Sequence, residues 1–391
     1  MRLTILPPTL QPEVYPEVTG CPYPDCGGRH LQLRQTVPQP LRDTVLTAVA
    51  AKRYGCLRCG RTCRVYPRGV DHDQTSARLK GVAVMFSVLG MSYGAAAAAL
   101  RALGFPLRKV AVYNYVQAAG AAVPGRRREA VRHGGGRVVA MGADLTSVKC
   151  KGQWLTVGVS VDAVTGVALT VDVLSNSEAA TLTTWVEEVA GAVGATVLVS
   201  DDADGFKTAA DEGGREHQVG TAHVGRNTEA WVKGIVPGLA ADADGSLAAI
   251  KVAPAQAVAD AKELLRLMQE RDPTPQAAAT LEAIHRRYLT AAPPREGGTA
   301  PLAYRLRLFS LDRWNLWPRL TRYRSWAGPA GERLDGTNNG CERAIGWWVK
   351  ERYRSMRGYK REASLLNVSR LIAWMGNALG GPGADLGLVI A

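Results

Sequence analysis

The first third of this 391-residue chain is poor in acidic residues, so its charge is segregated. Residues 1–135 contain 19 Lys and Arg but only 7 Asp and Glu, whereas residues 136–330 contain 20 and 22. This shortage of negative charge argues against basic residues that serve only solubility. It favours contact with a polyanion, because basic side chains that neutralise phosphates release bound counterions.

The chain also lacks a targeting signal, an internal repeat and a strong membrane span. Its N-terminus has no basic segment followed by an apolar one, so we expect an intracellular protein. The uncharged window over residues 81–100 is as long as a membrane helix, but it contains three Gly, two Ser and a Tyr. We therefore predict two water-soluble helices that break at Gly90. The length predicts about two to three domains.

Five of the seven cysteines lie in the first 63 residues, in the segments C-PYPD-C and YGC-LR-C-GRTC. Two close pairs that are separated by a sheet-like stretch can converge on one tetrahedral zinc ion, and a reducing compartment favours metal over disulfides. The zinc would be structural, because this segment is too short for a good apolar core. We predict as ligands Cys21, Cys26, Cys56 and Cys59. Cys63 and His30 are possible substitutes, and unrelated free thiols are the alternative.

Residues 75–123 contain three helical stretches, SARLKGVAVMFSVLG, SYGAAAAALRALG and PLRKVAVYNYVQAAG. Short helices joined by tight turns that contain Gly are typical of a helix-turn-helix, although plain structural bundles share the pattern. The third helix would read DNA. Its predicted polar contacts are Arg108, Lys109, Asn114 and Gln117. The segment over residues 124–136 predicts a basic, flexible linker.

Residues 137–201 predict three strands, a helix and a fourth strand, with one acid near the end of the first strand and one directly after the last. Because the helix crosses over, the fourth strand can lie parallel to the first, which brings Asp144 and Asp201 side by side. Two carboxylates at that separation repel unless a divalent cation lies between them, and oxygen ligands suit Mg²⁺ or Mn²⁺. The competing acids are Asp162, Asp202 and Asp204.

A third acid stands in the most basic part of the C-terminal region. Between Gly336 and Arg361 the chain has seven Lys and Arg but two Glu, and Glu342 follows the turn TNNG. A capping box, in which Glu342 bonds back to a cap at Asn339, would explain this acid without a metal. It would not explain the two aspartates on the predicted strands upstream.

These acids and the residues around them resemble the DDE transposases of bacterial insertion sequences. The segments that carry the resemblance are SDDADGFKTA, HQVGTAHVGRN and TNNGCER. The resemblance covers nearly the whole chain and implies a multidomain α/β protein with an RNase H-like mixed β-sheet core that a helical insertion interrupts. The implied parts are a zinc ribbon (1–70), a three-helix helix-turn-helix domain (75–123), a linker (124–136), the core (137–227 and 331–375), the insertion (228–330) and a frayed tail (376–391).

The resemblance also implies a chemistry. Asp144, Asp201 and Glu342 would be catalytic and would bind two Mg²⁺ or Mn²⁺ ions about 3.5–4 Å apart. The reaction would be hydrolysis and then strand transfer in double-stranded DNA, at the terminal repeats of the element and in target DNA. His223 lies about where some relatives carry an active-site His, with a loop or core His as the alternative. Phosphates would be held by Arg343, Lys350, Arg352, Arg354, Arg357 and Lys360.

The expected protein is bacterial and cytoplasmic, associates with the nucleoid when on DNA, has no membrane partner and forms a homodimer or larger assembly on DNA. Two other functions stay open: a non-catalytic DNA-binding regulator derived from a transposase, and an RNase H-like nuclease that does not join strands. The segment WNLWPRLTRYRSW, residues 314–326, either stacks on bases or packs in a helical core.

Overall fold

The computed structural model describes residues 4–133, 138–271, 274–356, 358–378 and 383–390, with the backbone alone at 124–133, 355 and 356. The protein is a mixed α/β protein. Its described strands form a two-stranded, a three-stranded and a five-stranded sheet. This agrees with the predicted multidomain α/β class.

The N-terminal region is a small antiparallel sheet. The sheet consists of β2 (Leu31–Pro40), β3 (Ala48–Cys56) and β4 (Thr62–Val65). The short strand β1 (Ile5–Leu6) precedes it in the chain and belongs to the two-stranded sheet. Only three buried apolar side chains, Leu10, Leu41 and Val49, form the hydrophobic cluster beside this sheet. Apolar burial on this scale stabilises a fold weakly, so the region needs another source of stability.

Three helices follow, as the sequence predicts. They are α1 (Ala77–Val88), α2 (Tyr93–Ala102) and α3 (Lys109–His133). The Ser92 side chain caps α2 by accepting a hydrogen bond from the Ala95 N–H. Gly90, with a φ of 109°, lies in the turn that separates α1 from α2. Every helix that the structure describes is too short or too polar to serve as a membrane span.

The predicted flexible linker is wrong over most of its length. Helix α3 continues without interruption to His133. The Arg-Arg-Arg-Glu-Ala run that begins at Arg126 consists of good helix formers, so it propagates a helix that Pro124 and Gly125 do not stop. Residues 134–136 lie outside the described part of the chain.

The five-stranded sheet has the predicted order of elements and one more strand. Its elements are β5 (Ala140–Cys150), β6 (Gln153–Asp162), β7 (Ala168–Leu174), α4 (Ala179–Val193), β8 (Val197–Ser200), α5 (Asp204–Glu212) and β9 (Glu216–Val219). The spatial order is β7-β6-β5-β8-β9. The first three strands are antiparallel, and β8 runs parallel to both β5 and β9. The crossover that the sequence predicts is therefore confirmed.

Strand β5 is longer than predicted, because it does not end near Asp144 but runs to Cys150. The reason is the turn that follows it. Lys151 and Gly152 both have positive φ, 50° and 87°, which is the geometry of a two-residue turn that matches strand twist. Pairing continues along the whole hairpin and sets Asp144 opposite Val159.

A helical segment lies between β9 and the last part of the sheet core. Its helices are α6 (Thr221–Ala241), α7 (Ser246–Ala249), α8 (Pro254–Glu270), α9 (Pro275–Arg287) and α10 (Leu302–Ser325). The segment has its own apolar core, which includes Trp317. Trp317 and Trp326 are 5% and 7% exposed, and Trp314 is partly buried against the core of the helical segment. Trp317 and Trp326 are therefore packing residues and are not free to stack on bases.

The C-terminal region crosses back over the sheet. Its elements are α11 (Asn339–Ala344), a π-helical turn (Ile345–Lys350), α12 (Glu351–Met356), α13 (Glu362–Gly376) and β10 (Ala384–Asp385). The prediction of a frayed tail is wrong for the described residues 383–390. There, β10 pairs with β1, and Leu386 is fully buried, because the apolar residues of this segment close the core against the N-terminal strand.

The two faces of the large sheet are covered differently. Helices α1–α3 and α13 share one apolar core with β5, β6 and β7, whereas α4 and α5 pack on the opposite face. Helices α3 and α13 touch so closely at Gly120 and Asn367 that Gly120 has no space for a side chain. The three-helix unit is therefore packed onto the sheet core and does not stand apart from it.

Candidate active site and metal centre

The four predicted zinc ligands form a tight cluster. The Sγ atoms of Cys21 and Cys59 lie 3.8 Å apart, those of Cys26 and Cys56 lie 3.6 Å apart, and all four lie within 4.8 Å of one another. Four thiolates at 2.3 Å from a tetrahedral zinc ion are separated by about 3.8 Å. The cluster can therefore hold zinc, and all four cysteines are free of disulfides.

The local sequence explains why the cluster closes. An added Cβ at Gly28 would lie 2.8 Å from the Cys56 Sγ atom, so only glycine allows the two turns to approach. A hydrogen bond from the Arg61 side chain lowers the pKa of Cys59 to about 6, which favours the thiolate that a metal needs. Neither of the proposed substitutes, Cys63 and His30, belongs to the cluster. Cys63 lies on β4, opposite Tyr54 of β3.

The two aspartates lie side by side, as predicted. Strands β5 and β8 are parallel with Gly142 beside Val199; Asp144 follows two residues later on β5, and Asp201 comes directly after β8. Burial raises the pKa of Asp144 to about 6. The charges of Asp201 and Glu342 contribute to this rise, whereas a hydrogen bond from the Leu145 N–H and the charge of His223 act against it. Asp144, Asp201, Glu342 and His223 are therefore electrostatic neighbours.

Helix α11 brings the third acid to the aspartates. The Asn338 side chain donates a hydrogen bond to the Ala143 carbonyl at 3.1 Å, and the fully buried Cys341 packs against Gly142, where an added Cβ would lie 3.0 Å from its Sγ atom. These contacts fix Glu342 above β5. The start of α11 has no side-chain cap, so the capping-box alternative is wrong.

His223 completes the cluster from the first turn of α6. Its Nε2 atom lies 2.7 Å from the Glu342 Oε1 atom. The start of α6 is tied to the loop before α11, because the Thr221 N–H donates to the Gly336 carbonyl at 3.0 Å. His223 is therefore at the acidic site and not in a separate loop or core.

The competing acids have other partners. The Asp202 carboxylate lies 2.9 Å from the Lys207 Nζ atom and 3.4 Å from the Arg313 Nη1 atom. Asp162 accepts hydrogen bonds in the β6–β7 turn, where the sequence predicts it, and Asp204 is almost fully exposed. By contrast, no described Lys or Arg forms an ion pair with Asp144 or Asp201.

The acids are spaced more widely than one ion requires. Among the described side chains, metal-ligand atoms all lie within 4.8 Å of one another in only two groups, the four cysteines and the surface residues Asp71, His72 and Asp73. Two ions about 3.5–4 Å apart need a wider set of carboxylates than a single ion does. Carboxylate oxygens are the ligands that Mg²⁺ and Mn²⁺ prefer.

The predicted DNA-reading residues of α3 divide into two groups. Arg108, Lys109 and Asn114 are exposed. Gln117 is half-buried and lies 3.5 Å from the Tyr93 hydroxyl, and it accepts a hydrogen bond from Asn367 at 3.1 Å. Its amide therefore joins α3 to α2 and α13, which makes it a packing residue because its polar atoms already have partners.

The predicted phosphate-binding residues near Glu342 also divide. Arg343, Lys350, Arg354 and Lys360 are exposed, and Arg357 lies outside the described residues. Arg352 is 4% exposed and donates to the Met91 carbonyl at 2.9 Å, so it holds α12 against the three-helix unit and cannot bind phosphate.

One functional candidate was missed by sequence reasoning. Trp347 is 69% exposed, whereas its neighbour Trp348 is buried. Glu342, Trp347, Lys350 and Arg354 recur every three to five residues along the exposed face of one continuous helix that includes the π-helical turn. We call these four residues the exposed helix face. π-helical turns are frequent at functional sites because they shift side chains to another face.

Comparison of the chain with protein-family models and with curated proteins found no match. What the fold and the two clusters define is a mixed α/β protein with a four-cysteine cluster that can hold zinc and a separate site of three acids and a histidine.

Proposed function

We propose that the protein is a DDE-type DNA transposase with an RNase H-like core, which binds the ends of an insertion sequence and catalyses metal-dependent DNA cleavage and strand transfer. The observation that carries the proposal is the convergence of Asp144, Asp201 and Glu342 from three separate segments. Two of these acids have no described basic partner, although Asp144 is buried enough to raise its pKa to about 6. Adjacent carboxylates that have no basic side chain to neutralise them are typical of metal sites.

The acids would hold two Mg²⁺ or Mn²⁺ ions, which would activate a water or a DNA 3′-hydroxyl and stabilise the leaving oxygen. Asp144 must lose its proton to bind metal, and a pKa of about 6 leaves it mostly ionised at neutral pH. His223 contacts Glu342 at 2.7 Å and would hold its carboxylate toward the aspartates. The four-cysteine cluster would hold a structural zinc ion.

The distribution of charge supports double-stranded DNA as the partner. The basic residues are concentrated in residues 1–135, and a second basic island surrounds Glu342. Exposed Arg108, Lys109 and Asn114 would contact DNA around the start of α3. On the exposed helix face, Lys350 and Arg354 would hold DNA phosphates next to Glu342. A homodimer or larger assembly on paired ends is part of this proposal.

The test is an assay of purified protein with DNA from the borders of its own coding locus, in Mg²⁺ or Mn²⁺. We expect cuts at defined border positions together with joined products. Asp201→Asn should abolish both reactions and keep DNA binding. Asp204→Asn is the matched control, because it makes the same change of charge on an almost fully exposed side chain three residues away.

The products also separate the alternatives. Metal-dependent cuts that never give joined products would identify a nuclease with the same site. Equal binding of border DNA by the parent protein and by Asp201→Asn, without cleavage in either metal, would overturn the enzymatic proposal and identify a DNA-binding regulator.

A further inference from the structure

A series of hydrogen bonds, exposed at Asp211 and buried at His217 and Ser200, runs from helix α10 to the backbone of Asp201. The Arg319 Nη2 atom lies 2.7 and 2.8 Å from the two carboxylate oxygens of Asp211, and its Nη1 atom lies 3.0 Å from the His217 Nδ1 atom. The His217 Nε2 atom lies 2.9 Å from the Ser200 Oγ atom, which in turn lies 2.9 Å from the Asp201 carbonyl oxygen.

The donor and acceptor chemistry of these groups allows only one direction of donation along the series of hydrogen bonds. A guanidinium only donates, so the His217 Nδ1 atom must accept and the ring proton must sit on Nε2. Nε2 then donates to the Ser200 Oγ atom, and the Ser200 hydroxyl donates to the Asp201 carbonyl. Burial, followed by the charge of Arg319, lowers the pKa of His217 to about 3, which agrees with the neutral ring that this direction requires.

The other neighbour of Asp201 is anchored to the same helix. The side chain of Asp202 is 13% exposed and pairs with Arg313 of α10 at 3.4 Å and with Lys207 at 2.9 Å. Asp201 is therefore held through both adjacent residues. Its own carboxylate accepts one hydrogen bond within the loop, from the Ala203 N–H at 3.2 Å, and otherwise stays open toward Asp144.

Helix α10 is well placed to act as a fixed support. The Gln218 side chain of β9 donates to the Leu320 carbonyl at 3.3 Å and accepts from the Tyr323 N–H at 2.7 Å. Two-way hydrogen bonding of one buried side chain fixes the helix in register along the edge of the sheet. The helical segment thus reaches the acidic site through defined contacts.

We propose that Arg319 and His217 are positioning residues that hold Asp201 in the geometry for metal binding, so that α10 forms part of the support of the metal site. The inference rests on the proposed function, because it takes Asp201 to be a metal ligand. Residues that hold metal ligands in place without touching the metal typically contribute to metal affinity. Their removal lowers that affinity about 10–100-fold.

The test is Mn²⁺ binding to the full chain without DNA, measured by electron paramagnetic resonance and calorimetry. Arg319→Met should raise the Mn²⁺ dissociation constant about 10–100-fold. Arg322→Met is the matched control, because Arg322 lies on the same helix and pairs with Glu216 of β9 without reaching Asp201. We expect this control to bind Mn²⁺ like the parent protein.

Ser200→Ala tests the link itself, since it removes one buried hydroxyl and leaves Arg319, His217 and α10 in place. It should weaken Mn²⁺ binding in the same direction even if Arg319→Met proves unstable. Unchanged Mn²⁺ binding in both variants, with binding lost in Asp201→Asn, would overturn the positioning role and leave the proposed function standing. Absence of Mn²⁺ binding by the parent protein would overturn both.

Discussion

The four-cysteine cluster and the acidic site are both groups of candidate metal ligands, but the chain builds them in opposite ways. The cysteines come from two nearby turns, and their sulfur atoms already have the spacing of a zinc site. The acids come from segments that are 57 and 141 residues apart, and their carboxylates are spread more widely. One cluster is local and closed, whereas the other exists only once the sheet and α11 have come together.

The difference follows from what each cluster must do. The N-terminal sheet has a hydrophobic cluster of only three buried residues, so a zinc ion at the four cysteines would supply stability that this cluster lacks. The acidic site sits on a large core that can tolerate an unfavourable arrangement. There Asp144 is partly buried without a described Lys or Arg partner, which raises its pKa and costs stability when it is ionised.

The largest expected effect is on the cysteine cluster. Removing zinc with a chelator, or replacing a ligand by Cys26→Ser, should unfold residues 31–65, because a structural zinc ion contributes about 10 kcal/mol or more to the folding free energy. Hydrogen exchange should show loss of protection in β2–β4 and retained protection in β5–β8. Cys63→Ser is the control, since Cys63 lies outside the cluster, and unfolding in this variant would contradict the assignment.

The next largest effect is on catalysis. Glu342→Gln should lower DNA cleavage at least about a thousandfold, because metal ions supply several kcal/mol of transition-state stabilisation. The protein should stay folded and keep its DNA affinity. Glu351→Gln changes the same charge on an exposed residue of the same continuous helix and should cleave at nearly the parent rate. Equal losses in the two variants would show that general charge, not the site, matters.

A smaller effect concerns the cost of the buried acid. Asp144 has a pKa of about 6 when folded and an ordinary value of 3.8 when unfolded, so its ionisation destabilises the folded state as pH rises between these values. Asp144→Asn should therefore stabilise the metal-free protein by about 1–3 kcal/mol above pH 6, and the gain should disappear near pH 4. Thermal unfolding against pH would measure it.

Asp202 supplies the contrast for this experiment. Its carboxylate pairs with Lys207 and Arg313, so Asp202→Asn should destabilise the metal-free protein under the same conditions. A destabilised Asp144→Asn protein at pH 8 would contradict the view that Asp144 is held at a cost for metal.

The smallest effect concerns DNA contact on the exposed helix face. Trp347→Ala should weaken binding of border DNA by about 1 kcal/mol, at the lower end for a base stacked on an aromatic ring. Trp154→Ala is the control, because Trp154 is similarly exposed, at 67%, but lies at the start of β6, whereas α11 contacts the other half of that strand at Val159 and Val161. Fluorescence anisotropy with labelled DNA would measure both. Equal affinities for the two variants would remove Trp347 from the interface.

The sequence predicted the parts that depend on local spacing. The close cysteine pairs, the helices on either side of Gly90 and the alternation of strands around α4 all carry their signal within a few residues. The pairing of Asp144 with Asp201 also followed, because a crossover after a meander leaves few arrangements.

The parts that were missed depend on contacts between distant segments. The hydrogen bond between His217 and Arg319 joins residues 102 positions apart, and it exists only because α10 lies along β9. Gln117 was predicted to contact DNA, but its amide oxygen accepts a hydrogen bond from Asn367 of α13. The C-terminal tail was predicted to be frayed, yet apolar residues among 383–390 complete a core with β1.

The central claim is that Asp144, Asp201 and Glu342 together hold divalent metal. The most direct measurement is anomalous X-ray diffraction from crystals soaked in Mn²⁺, with Asp201→Asn crystals treated identically. We predict two anomalous peaks about 3.5–4 Å apart among these three carboxylates in the parent protein, and none in the variant. Saturating Mn²⁺ that leaves no peak between the three acids, or an identical peak in the variant, would contradict the claim.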